Sequence, residues 1–114
     1  MEVGNDMENV IVDAKSLISE IDKQFQKMKK KGTGDEVRFV DCIREILSKL
    51  EASSNLDNKL LITLEKFYQQ CSLLVGLSSL ELDESTRLAW RQYDQYHYAT
   101  IKPQLKVYGP TVIL

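Results

Sequence analysis

Apolar residues recur three and four positions apart over most of this chain. That spacing is the signature of amphipathic helices, and it divides the chain into four helical stretches and a tail of different texture. The first stretch runs from Asn5 or Asp6 to Lys31 and carries Met7, Val10, Ile11, Ala14, Leu17, Ile18, Ile21, Phe25 and Met28. At 100° per residue these positions share an arc of about 120°, a narrow seam of the kind used in bundles and coiled coils. Gly32 suits a left-handed helix stop. Thr33 and Glu36 then have the spacing of a capping box for a second helix reaching about Glu51, with Phe39, Val40, Ile43, Ile46, Leu47 and Leu50 on its inner face.

Ser54 with Asp57, or Asn55 alone, can cap the third helix. Its main face is Leu56, Leu60, Leu61, Leu64, Phe67, Tyr68, Cys71, Leu74 and Val75, and it ends at Gly76. Ile62 and Leu73 point about 160° away from that face, so this helix is apolar on two sides. Asp83 caps a fourth helix reaching about Thr100, with a stripe of Thr86, Ala89, Trp90, Tyr93, Tyr96, His97, Thr100 and Ile101. Pro103 disfavours helix at Lys102 and closes the segment. Beyond it Leu105 and Val107 alternate with Gln104 and Lys106, an extended pattern, and Gly109-Pro110 bends the chain.

The expectation is therefore all-α: an antiparallel bundle of about four helices over residues 1–102, then a short extended apolar tail over 103–114. Short connections between long helices favour antiparallel neighbours. Both prolines, Pro103 and Pro110, fall in the tail, which leaves the body free of helix breakers.

Charge and cysteine usage narrow the function. Fifteen basic and seventeen acidic residues give a net charge of -2, which argues against nucleic acid as the main partner. Lys27, Lys29, Lys30 and Lys31 form the one basic cluster, and in the last turn of the first helix they offset its dipole. No apolar run approaches the roughly 18 residues needed to cross a bilayer. The acidic start, Met1 to Asp6, lacks the basic and apolar regions of a secretory signal. Together with two cysteines this predicts a cytoplasmic or nuclear location.

No catalytic, cofactor or metal signature emerges. His97 is the one histidine, set between Tyr93 and Ile101 in an aromatic stripe, and reads as a core residue bonded to a tyrosine hydroxyl or a backbone carbonyl. Cys71 lies at the centre of the third helix's face and Cys42 about 100° off the centre of the second's, directions that argue against a disulfide. Their separation also lacks zinc-ligand spacing. Asp83 and Glu84 belong to a helix start, near Glu81 and Asp94, and Gly32-Thr33-Gly34 lacks the strand that a dinucleotide loop requires. The expected protein is not an enzyme.

Two features carry partner signals. Trp90, Tyr93 and Tyr96 present large amphipathic rings on one helix face, for the bundle's own core, a partner or a homodimer seam. The chain ends in Pro110-Thr111-Val112-Ile113-Leu114. This pentamer, Pro-x-Val-x-Leu, resembles the short peptide ligands of the chromoshadow domain of heterochromatin proteins. The resemblance implies an extended peptide across a symmetric dimer, with Val112 as the central anchor and Pro110 and Leu114 flanking it. The apolar end with its carboxylate, Val112-Ile113-Leu114, also looks like a ligand for PDZ domains. A third reading folds the three apolar residues back over the bundle. The sequence thus predicts a helical interaction module, a subunit or adaptor of a larger complex, with chromatin recruitment through the pentamer as the alternative.

Overall fold

The computed structural model describes residues 6–78 and 80–108. Four long helical segments form an antiparallel bundle: α1 (Asp6–Lys27), α2 (Gly34–Ala52), α3 (Asn58–Leu77), and a fourth made of α4 (Glu84–Tyr96), a π-helical turn (His97–Ile101) and α5 (Lys102–Tyr108). No strand occurs among the described residues. The direction of each packing follows from cross-helix pairs. Phe25 meets Phe39 while Lys15 pairs with Glu51, so α1 and α2 run opposite ways. Tyr68 reaches Asp94 while Glu65 reaches His97 and then Lys102, so α3 opposes the fourth segment. Thr86 touches Met28 at one end of α1, and Tyr96 bonds the Val10 carbonyl at the other.

The seam anticipated on α1 supplies Val10, Ile11, Ala14, Ile18, Ile21 and Phe25 to the core. It meets Phe39, Ile43, Ile46 and Leu50 from α2, Leu60, Leu61, Leu64, Phe67 and Cys71 from α3, and Ala89, Trp90 and Tyr93 from α4. Each fully buried aliphatic or aromatic side chain contributes about 1.5–3 kcal/mol by leaving water. Phe25 and Phe39 add an edge-to-face contact at 5.0 Å between centroids.

The helix starts depend on local side-chain caps. Thr33 and Glu36 form the anticipated capping box. The Glu36 carboxylate does more than close that box, because it accepts from the backbone N–H groups of Lys31, Gly32 and Thr33. Gly32 makes this nest by adopting a φ of +80°. Asp83 caps α4 by accepting from the Thr86 N–H. The third cap is Asp57, which accepts from the Leu60 N–H, rather than Ser54 or Asn55. Leu56 precedes it and is buried, as is Leu61, so apolar residues flank the cap on both sides.

Two boundaries differ from the sequence expectation. The helix α1 ends at Lys27, one turn before Lys31. Lys30 folds back and donates to the carbonyls of Phe25, Gln26 and Met28, so a lysine satisfies the helix end directly from the loop beyond it. The fourth segment continues through Pro103 to Tyr108, where an extended tail was expected to begin at Pro103. Pro103 sits at the second residue of α5, after the π turn. Within the π turn the Lys102 N–H reaches the His97 carbonyl five residues back. The widened turn removes the carbonyl alignment that a proline ring would strike in a regular helix. The Gln104 side-chain amide donates to the Thr100 carbonyl, one turn back. Residues 109–114 lie outside the described part of the chain.

Candidate functional site

A polar constellation is built in the interior where the π turn faces α3. His97 is fully buried and uses both ring nitrogens. Nδ1 lies 2.8 Å from the Tyr93 hydroxyl and Nε2 lies 2.8 Å from Glu65 Oε1. The second Glu65 oxygen accepts from Lys102 Nζ at 2.9 Å and from Gln69 at 2.7 Å. Tyr68 stacks on the imidazole with centroids 4.0 Å apart and planes within 8°. The Tyr68 hydroxyl donates to Asp94 at 2.6 Å.

The π turn is what allows one carboxylate to hold both His97 and Lys102. In a regular α-helix, residues five apart diverge by about 140°. The i+5 hydrogen bonding of the turn stacks Lys102 over His97 instead. Lys102 also lies over the Tyr68 and Tyr98 rings at 5.8 and 5.9 Å, favourable cation–π placements.

Protonation follows from the partners. Burial raises the Glu65 carboxyl, but the hydrogen bonds from His97, Lys102 and Gln69 outweigh it and hold Glu65 below the ordinary carboxylate range. An ionised carboxylate only accepts, so His97 Nε2 carries the proton and Nδ1 accepts from Tyr93. Burial lowers the His97 pKa even against the pull of Glu65, which keeps the ring neutral near pH 7. Burial pushes the Tyr93 phenol well above its ordinary value. Burial and the Asp94 carboxylate push Tyr68 up to about 12. The site is thus a neutral imidazole between a phenol and a carboxylate whose charge is balanced by Lys102.

Carboxylate, imidazole and hydroxyl in that order can relay a proton. Here Tyr93 and His97 are both at 0% exposure, and the Tyr93 hydroxyl already points at the ring. The arrangement as it stands ties α3 to the fourth segment, with both His97 ring nitrogens and both Glu65 oxygens paired.

The sequence-derived site residues separate into two groups. Trp90 and Tyr93 are buried and Tyr96 is half-buried with its hydroxyl on the Val10 carbonyl. The aromatic face offered to a partner is therefore turned inward in this fold, packed against α1 and α3. Pro110, Val112, Ile113 and Leu114 lie outside the described residues. His97 has the tyrosine partner expected of it. Glu65 and Lys102 were not anticipated. The signal for Glu65 was its place on the rim of the α3 face, one turn after Leu61 and three residues before Tyr68.

Among the described residues no cluster of three or more histidine, cysteine or acidic side chains comes together in a way that could hold a metal ion. No described helix is long and apolar enough to cross a membrane. Comparison with protein-family models, curated proteins and solved structures finds no match for this chain.

Proposed function

We propose that this chain is a non-enzymatic helical interaction module, a subunit or adaptor that helps assemble a larger protein complex in the cytoplasm or nucleus. The observation that carries this reading is the outer face of α3. Ile62, Leu73 and Leu77 are 43%, 56% and 81% exposed. At 100° per residue they lie within about 60° of one another on one side of the helix, Leu73 and Leu77 a turn apart and Ile62 three turns before them, beyond exposed Lys66 and Gln69. Lys59 and Lys66 are exposed on the same side. Large exposed apolar side chains alternating with lysines on one helix side fit a protein partner that offers both apolar and acidic residues. The buried His97 network supports the module by fixing α3 from its inner side.

Site-specific photocrosslinking tests the reading. A photoreactive residue at position 73 or 77 of the full chain should give one discrete adduct with a defined partner protein in cells. The same group at Gln95, exposed on α4, should not. Adducts only with a second copy of this chain would replace the adaptor reading with a homo-oligomer. Diffuse labelling equal at all three positions would remove it.

The pentamer Pro110-Thr111-Val112-Ile113-Leu114 supports a second reading, a chromatin-recruitment factor that adds its terminal peptide to a chromoshadow-type domain. Binding of the full chain to an isolated chromoshadow dimer, measured by calorimetry, should be lost in Val112→Glu. Undiminished binding, or none from the unaltered chain, rules that reading out. A PDZ domain would instead respond to amidation of the terminal carboxylate.

A further inference from the structure

The outer side of α4 carries a charged feature that neither the His97 network nor the outer face of α3 uses. Arg87 and Arg91 stand one turn apart on this helix, and both are exposed. The other two arginines of the chain are engaged, Arg38 with Asp35 and Arg44 with Asp22. Among the described residues neither Arg87 nor Arg91 forms an ion pair. The acids nearby in sequence are committed elsewhere. Glu81 pairs with Lys31, Asp83 caps the Thr86 N–H, and Asp94 accepts from the Tyr68 hydroxyl. Two like charges four residues apart on a helix repel each other, so an anion held between them would relieve a cost already present in the fold.

The loop before α4 aims one of the pair. Arg87 Nη2 donates to the Leu82 carbonyl at 3.3 Å, which fixes the guanidinium and leaves its other donors available. Two open grooves meet at the arginines. The one toward α3 has a volume of about 350 Å³ and is walled by Val75, Leu80, Leu82 and Trp90. The other, about 420 Å³, is lined by Leu82, Glu84 and Leu88, and Leu88 is 55% exposed. A guanidinium is a planar fork that matches the two oxygens of a carboxylate. Two such forks beside an exposed leucine therefore complement a carboxylate carried next to an apolar group. Asp94 lines the first groove and Glu84 the second, and the whole chain has a net charge of -2. Those acids repel an extended polyanion, so the charge pattern favours single carboxylates on a peptide over nucleic acid or an anionic lipid surface.

We propose that Arg87 and Arg91 dock an acidic segment of a partner protein, with an aspartate or glutamate carboxylate held between the two guanidinium groups and a neighbouring bulky apolar side chain packed on Leu88. The guanidinium forks supply direction and the leucine supplies apolar contact. This contact lies on α4 and stands without the outer face of α3, so either surface can fail while the other holds.

An array of short immobilised peptides tests this, each carrying glutamate and leucine at varied spacing in a glycine-serine background. The full chain should bind a subset of them, and should bind their counterparts with glutamine or lysine in place of glutamate at least about tenfold more weakly. Arg87→Gln with Arg91→Gln, both at exposed positions, should keep the helical circular dichroism and lose the binding by a similar factor. Arg91→Lys keeps the charge without the fork and should fall between the two. Leu88→Gln should remove the preference for leucine over alanine in the peptide. Leu73→Gln with Leu77→Gln should leave peptide binding unchanged, which separates this contact from the α3 surface. Binding to none of the glutamate peptides overturns the proposal. So does undiminished binding by a folded Arg87→Gln, Arg91→Gln chain, or binding only where phosphoserine replaces glutamate.

Discussion

Two glutamates in this bundle are held ionised by opposite means. Glu36 is satisfied by its own neighbourhood, the backbone N–H groups of Lys31, Gly32 and Thr33. The first of those bonds, from Lys31, does most to keep its carboxyl below the ordinary range. Glu65 has one local partner, Gln69, but is satisfied mainly by side chains 32 and 37 residues away, His97 and Lys102. The first arrangement fixes one helix end and needs only a turn with a glycine in it. The second exists only after α3 and the fourth segment have packed, and it exists in this geometry only because the helix widens between His97 and Lys102. Local satisfaction shapes an element, while tertiary satisfaction selects which elements meet.

The comparison breaks most visibly at Glu65. Glu65→Ala should cost about 2–3 kcal/mol in urea unfolding, because it leaves the buried His97 N–H without an acceptor and frees Lys102. If the loss stayed below about 0.5 kcal/mol, the network would be ornamental to stability. Thr33→Ala should cost less, about 1 kcal/mol, since one cap is lost and the Glu36 nest remains. A loss larger than that of Glu65→Ala would reverse the order of the two sites.

Acid distinguishes the two partners of the inner network. An unfolded imidazole takes up a proton near 6.5, whereas burial holds His97 lower in the fold. Between those values the unfolded chain binds more protons, so stability falls as pH drops through 6.5 toward the folded value. Glu65 is held below its ordinary 4.5, so its contribution is present above that pH and drains away as pH falls through its folded value. Urea unfolding at steps from pH 7.5 down past 4.5 and through the acid range should show both declines in the unaltered chain. His97→Gln should lose the upper decline, and an unchanged profile in that variant would show that another group titrates there.

Much of this fold could be read from spacing alone. The inner faces of the helices, the Thr33–Glu36 box and the Asp83 cap all depend on residues three to four apart, where helical geometry fixes direction. The outward aim of Ile62 and Leu73 followed from the same arithmetic. That arithmetic failed at Lys102, where a π turn replaces 100° per residue, and at Pro103, whose accommodation depends on that turn. Glu65 was hidden for a different reason. A charged residue at the rim of an inner face is ordinarily solvated, and nothing local marks the histidine that turns it inward.

The inner and outer sides of α3 now carry separate roles, one joined to His97 and the other proposed for a partner. Replacing Leu73 and Leu77 together by glutamate separates them in one measurement, unfolding free energy alongside yield of the crosslinked adduct from position 62. The account predicts stability within about 0.5 kcal/mol of the unaltered chain and loss of the adduct. An undiminished adduct from a stably folded double variant would contradict it.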